Sequence, residues 1–401
     1  MNRSLYIVPF FAVATAAIAC SSTTESTATP TDDAGATTDA GTTGDGGTSA
    51  LSFTPSNLDL SGIDLSKVGD FVVTSANCAI LSTSKQVGCG DDSALAFGIV
   101  DQPNGGGKIG VYVARTISVQ PNGSLVADPG GAYPVALVAL DTMDVQGVID
   151  VSARSDYKSA GGYQAPTTSS TKGGGPGGGT AGSDVSTMGY GGAGAGYCGL
   201  GGKGGATNGT PTAGGVSYGS AQLIPLVGGS SGGNGDLPFA GTGGGAIQLV
   251  AGTKFTLGAN ATIAANGGGG VNGGTPNQNA SGGGSGGSIL IEAPATSILG
   301  TLVANGGAGG SKATGQDGKL DGTQAVGDTN TNGAIGGAGN AAASLNGGDG
   351  TWVTGDPAGG GGGAGGRIRV NSTTGNGSLS AKVISPSANT PCTTEGTLAA
   401  K

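Results

Sequence analysis

Histidine is absent from the chain. With it go the commonest general base, the base of a serine triad and the commonest zinc ligand. Basic residues are scarce: 16 Lys and Arg stand against 25 Asp and Glu, for a net charge of −9. No patch able to neutralise many phosphates can be assembled from so few cations, which excludes nucleic acid as a partner. Charged residues of both signs make up only 10%, too little for a chain held expanded by charge. There are 17 prolines and no strict Gly-X-Y period, which excludes collagen. No two cysteines have CxxC spacing and no Gly-Lys pair is followed by Ser or Thr, so redox, zinc and P-loop motifs are missing. Carbohydrate-cleaving enzymes need clustered carboxylates, and none recurs at equivalent places along this chain. The expectation is a non-enzymatic protein with no catalytic residue and no cofactor.

What the chain has is glycine: 90 of 401 residues, about three times the usual share. It lies in runs between apolar, β-favouring segments. KIGVYVARTISVQPNGSLVADPGG from Lys108 and AIQLVAGTKFTLGANATIAANGGG from Ala246 align without a gap at an offset of 138 residues. Ile109 falls on Ile247, Val111 on Leu249, Ile117 on Phe255, Val119 on Leu257 and Leu125 on Ile263. Further copies contain Ile289, Ile291, Ile298 and Leu302, or start at Val135 and Arg367. Each is roughly 20 residues of short strands broken by Gly, Asn or Pro, a length suited to one turn of a repeat architecture. The predicted fold is all-β: a parallel β-helix or solenoid with long glycine-rich inserts leaving one edge. A stack of two sheets is the competing arrangement. Strand alternation places Ile109, Val111 and Val113 inward and Gly110 and Tyr112 outward. Val111, Leu249 and Ile291 then form one buried column, and Gln248 faces solvent.

The inserts span about 155–245, 267–287 and 306–366, two of them after an ANGG sequence (Ala265–Gly268, Ala304–Gly307). Two readings fit them. They are flexible loops, or they are ordered polyglycine helices that pair N–H with C=O sideways, as PPII-type helices without Cβ atoms can. Five tyrosines in the first insert (Tyr157, Tyr163, Tyr190, Tyr197, Tyr218) favour order. The short insert leaves after Asn266 and returns at Ser288, so a loop of a few residues is expected to replace it.

The N-terminus, MNRSLYIVPFFAVATAAIAC, reads as a signal peptide over 1–19. Ala17-Ile18-Ala19-Cys20 resembles a bacterial lipobox, in which Cys20 becomes the lipidated first residue. Ala in place of the usual Leu departs from that motif, and Ala17-x-Ala19 also fits ordinary cleavage. Residues 20–50 then form an anchor and a polar Ser/Thr/Asp/Gly tether, able to span about 30 Å as a flexible coil. Residues 51–107 read as an N-terminal β cap and 108–401 as the repeat body. Cys78, Cys89, Cys198 and Cys392 remain, an even number that implies disulfides in an exported chain. Of three connectivities, Cys78–Cys89 closing a short hairpin loop is favoured, with Cys198–Cys392 by elimination.

Other motifs carry less. Ser231 and Ser285 lie in GxSxG sequences that glycine abundance produces by chance and that lack a His base. Asp328, Asn330 and Asn332 resemble the first half of a calcium loop, but Gly339 stands where the closing Glu belongs. Asp91-Asp92 lie near the cap. Arg367 and Arg369 share the outer face of the last repeat and read as a solvated surface.

Taken together, the lipobox, the tether, the ANGG endings and the GGGGGAGGRIRV run resemble the glycine-rich surface lipoproteins of gliding, predatory soil bacteria. The GGAGG texture is similar to PGRS-type proteins, whose N-terminal helical domain is missing here. Ser beside the lipidated cysteine resembles outer-membrane sorting. The resemblance implies an outer-membrane, lipid-anchored protein at the cell surface, with a structural or adhesive role. Its implied partners are the membrane and extracellular polysaccharide or other surface proteins. Alternatives are a carbohydrate-processing β-helix enzyme and an ice- or glycan-binding module using ordered polyglycine faces.

Overall fold

A computed structural model describes residues 51–401, apart from 90–91, 156, 186–187, 208, 273–277, 328–334, 354–355 and 378. Its regular structure is almost entirely strand, and most pairing is parallel. Apolar stretches rich in Val and Ile, broken every few residues by Gly, Asn or Pro, can form short strands but no helix of useful length.

Three sheets grow together. The strands Lys108–Ala114, Thr116–Val119 and Ser124–Ala127 enter the first, second and third sheet in turn. Val135–Ala139, Thr142–Val145 and Val148–Asp150 repeat the order and pair in parallel with them. Ala246–Ala251, Lys254–Leu257 and Thr262–Ala264 follow. Ser288–Glu292, Ala295–Ile298 and Thr301–Val303 then add the next strand to each sheet. Arg367–Ser372 and Val383–Ser385 extend the first and third sheets. Thr393–Thr397 adds one more strand beside Arg367–Ser372. At the other end Asp70–Val73 and Cys78–Ile80 begin the second and third sheets, and Ala96–Asp101 closes the first in antiparallel fashion.

In-register stacking makes columns of side chains between the sheets. Ile117, Met143 and Phe255 form one; Val119, Val145, Leu257 and Ile298 another; Leu125, Ile149, Ile263, Leu302 and Ile384 a third. All but the half-buried Ile384 are essentially inaccessible. Tight turns stack too: a Cβ on Gly147 would come within 2.1 Å of the Gly123 carbonyl oxygen.

The first sheet corrects the alignment. Leu249 pairs with Leu137 and Ile291, but Leu137 pairs with Tyr112 and not with Val111. Tyr112 faces the core between the sheets, while Ile109, Val111 and Val113 face the opposite side. There they meet Leu51, Phe53, Leu58 and Ile63 of the N-terminal segment and Leu223 and Leu226 of the first insert. A one-residue slip exchanges the faces of a strand. With both faces buried, as is usual for parallel sheets, Lys108–Ala114 carries no polar alternation to mark the register. For the same reason Gln248 is fully buried.

All three long inserts leave after a strand of the third sheet and return to one of the first. For the second and third the departure is fixed by the buried asparagines of the two ANGG sequences. Asn266 Oδ1 accepts the Asn305 N–H at 2.7 Å, and both side-chain amides donate to the Lys319 carbonyl.

Candidate functional site

The described parts of the inserts are ordered, and their order is written in hydrogen bonds more than in side chains. In segment 191–196 the N–H groups of Gly191 and Gly194 donate to the carbonyls of Gly205 and Gly202. Those of Gly192 and Ala195 donate to Ala280 and Gly283, and those of Ala193 and Gly196 to Thr180 and Gly177. Partners recur every third residue, the period of a three-residue-per-turn helix without internal hydrogen bonds. The carbonyls turn the same way: Gly192 and Ala195 accept from Gly361 and Ala364, Ala193 from Gly233 and Gly194 from Gly215. Segments 280–287 and 359–366 repeat the pattern, for example Ala280, Gly283 and Gly286 donating to Ala358, Gly361 and Ala364. Each of these three central segments is thereby bonded to six others, and the three bond one another in parallel.

Such packing admits almost no side chain. A Cβ on Gly194 would lie 1.8 Å from the Gly362 oxygen, one on Gly361 2.1 Å from Gly202, and one on Gly283 2.2 Å from Gly307. The short insert is therefore no independent loop: residues 280–287 are central to the slab, and the expected replacement by a few residues is incompatible with it. At the perimeter, side chains supply what a further segment would have supplied. Asn346 Oδ1 accepts the Leu200 N–H at 2.9 Å and Asp349 Oδ1 the Lys203 N–H at 2.7 Å. Leu200 and Lys203, Ala213 and Val216, and Asn346 and Asp349 are exposed, each pair three residues apart.

The slab is rooted on the first sheet. Tyr197 and Tyr218 stack with centroids 4.5 Å apart, and the Arg367 guanidinium lies 5.6 Å over Tyr197. Tyr197 Oη meets Ser288 Oγ at 2.5 Å, and Tyr218 Oη donates to the Gly228 carbonyl at 2.6 Å. Burial pushes the Tyr197 phenol up to about 12 and raises Tyr218 well above the usual tyrosine range. A disulfide joins Cys198 to Cys392 beside this cluster, and a second joins Cys78 to Cys89.

Next to the root lies a buried polar network. Glu292 accepts from Ser56 N and Oγ, from Gln248 Nε2 at 2.7 Å and from Asn371 Nδ2 at 3.0 Å. Arg369 is half-buried and donates to Thr394 Oγ1; burial lowers its pKa and the Glu292 carboxylate offsets part of that. Arg367 and Arg369 are thus not a solvated face. Tyr218 and its neighbours cover them, and the strand Thr393–Thr397 lies beyond.

Two clefts open near the slab and the sheet. One, about 340 Å³, is apolar and lined by Phe53, Leu58, Leu60, Leu65 and Leu140 beside Leu51. The other, about 280 Å³, lies between the start of the first sheet and the first insert and is lined by Lys108, Tyr133, Lys158, Tyr163 and Gln164. Neither contains a residue singled out from the sequence as a site. The signal was there in part, since Tyr163 belongs to the tyrosine-rich insert; Tyr133 and Lys158 gave none.

Of the residues singled out, Ser231 and Ser285 are buried in the slab and bond backbone: Ser231 Oγ accepts the Gly174 N–H and Ser285 Oγ the Ser230 N–H. The Asp92 carbonyl accepts the Leu95 N–H in a turn. Cys20, Asp91 and the calcium candidates Asp328, Asn330 and Asn332 lie outside the described residues. No group of three or more His, Cys, Asp or Glu side chains able to hold a metal is found among the described residues, and no described helix is long and apolar enough to cross a membrane. No protein-family model, no curated protein and no solved structure matches the chain.

Proposed function

We propose that the protein is a non-enzymatic, lipid-anchored cell-surface protein of the outer membrane with a structural and adhesive role. In this reading the three sheets wind as a parallel β-solenoid, and the glycine slab is the rigid part it carries outward. One observation carries the proposal: the six-neighbour packing of segments 191–196, 280–287 and 359–366. A slab whose central segments admit little beyond Gly, Ala and Ser leaves sequence variety to its perimeter and its root, where a partner can read it. Its rigidity also lowers the ordering cost of binding. The Ser/Thr/Asp/Gly tether after Cys20 would hold it off the membrane. Extracellular polysaccharide is the partner this reading favours.

The experiment has two arms. Metabolic labelling with a clickable palmitate is expected to mark the wild type and not Cys20→Ala. Protease treatment of intact cells is expected to reach the protein, and cells lacking it are expected to attach less to polysaccharide-coated surfaces. Equal labelling of both proteins removes the lipid anchor from the proposal. Unchanged attachment removes the adhesive role.

A further inference from the structure

We infer that the cleft between Tyr133 and Tyr163 binds an acidic sugar, a uronate unit of an extracellular polysaccharide. The inference deepens the adhesive reading above and rests on it.

The cleft measures about 280 Å³. That is at the small end of ligand sites, which run from about 300 to 1,000 Å³. It offers room for a single ring, not a long segment. Its walls are fixed. Tyr163 donates its N–H to the Gly229 carbonyl and accepts the Gly243 N–H, both at 3.0 Å, so the first insert is pinned to the slab here. The Tyr163 ring packs against Gly175, where an added Cβ would fall 2.7 Å from ring carbons. Gly161, at φ +76°, lies against Pro134, and a Cβ there would come within 2.8 Å of the proline ring. Side-chain-free backbone therefore shapes the floor. Tyr133 and Tyr163 are partly buried, and neither hydroxyl hydrogen-bonds another described residue.

Charge selects the ligand. Lys108 is paired with Asp101 at 3.1 Å, an exposed contact of the kind that contributes little. Lys158 is half-buried and forms no salt bridge among the described residues; the Asp128 carboxylate acts on its charge from further off. A partly desolvated ammonium favours an anion beside it. Tyrosine rings offer apolar faces to the C–H side of a sugar ring and hydroxyls to its polar edge. A polyphosphate would need several cations, and the cleft is lined by two lysines, one of them already paired. One carboxylate per ring matches one half-buried lysine.

Titration calorimetry of the purified chain with a galacturonate trimer and with the matching neutral galactose trimer tests this. The acidic trimer is expected to bind, and the neutral one to bind at least tenfold more weakly. Lys158→Gln should weaken the acidic trimer by about tenfold and leave the neutral one unchanged. Lys158→Arg should restore most of the loss, and Tyr163→Phe should weaken both trimers alike. Melting temperatures equal to wild type confirm that Lys158→Gln is folded. Equal affinity for both trimers, or acidic binding that Lys158→Gln leaves intact, overturns the inference. If the chain still binds whole acidic polysaccharide while Lys158→Gln has no effect, the cleft is wrong and the adhesive reading stands. If no polysaccharide binds at all, both fail.

Discussion

A single methyl group tests the slab. Gly194 lies at the centre of it, donating to Gly202 and accepting from Gly215, both at 2.9 Å. In Gly194→Ala the new Cβ would lie 1.8 Å from the Gly362 oxygen and 2.4 Å from its carbon. Real Cβ atoms essentially never approach within 3.0 Å, so the two segments must part by about 1.2 Å, the difference between those distances. The Gly362 carbonyl accepts from Gly202, which also accepts from Gly194, so the displacement strains a shared set of bonds. Each buried group left unpaired costs about 1–3 kcal/mol, and overpacking itself costs about 1–3 kcal/mol. With two groups orphaned the loss is on the order of 4 kcal/mol. Acting the other way, replacing glycine restricts the unfolded chain and stabilises by about 0.4–1 kcal/mol. The clash wins by several-fold. Gly62→Ala is the control, because nothing lies within 4 Å of its added Cβ. Denaturant unfolding and amide exchange measure both variants. Gly194→Ala is expected to lose several kcal/mol and to speed exchange across 191–196, 280–287 and 359–366. A neutral or stabilised Gly194→Ala, behaving like Gly62→Ala, would refute the packed slab.

Three further outcomes are expected. Replacing the Cys198–Cys392 pair by serines should destabilise more than replacing Cys78–Cys89, because the separations are 194 and 11 residues; loop-closure arithmetic gives about 5 against about 3 kcal/mol, measured as urea midpoints. Gln248→Asp should now be as harmful as Leu249→Asp, since it would place a second carboxylate beside buried Glu292; a loss of about 3 kcal/mol or more is expected, read by melting, with early proteolysis of the segment around Ser56. Tyr197 has a folded pKa raised to about 12, so its contribution is complete below pH 10, the ordinary tyrosine value, and lost as pH rises towards 12. That is worth about 2–3 kcal/mol, and phenolate absorbance should report Tyr197 only as the chain unfolds; early titration without unfolding would contradict its burial.

The sequence by itself determined the parts that side chains write. The alignment of Ile117 with Phe255 and of Leu125 with Ile263 is the alignment of the second and third sheets, because each strand there buries one face and alternation records which. The points where two of the three inserts leave were legible in ANGG, where a buried asparagine replaces a strand's next hydrogen bond. Cysteine spacing favoured the pairing found. Tertiary structure decided the rest. Lys108–Ala114 is buried on both faces, so apolar residues at every position left its register open, and Tyr112 rather than Val111 took the inner column. Gln248, Arg367 and Arg369 read as surface because the segments that cover them, around Ser56 and Tyr218, lie far away in the chain. The cleft likewise joins Lys108, Tyr133 and Tyr163 from separate segments. The glycine slab was the least legible of all. Glycine has no side chain in which a pattern can be seen, and its threefold period exists only in which distant carbonyl each N–H finds.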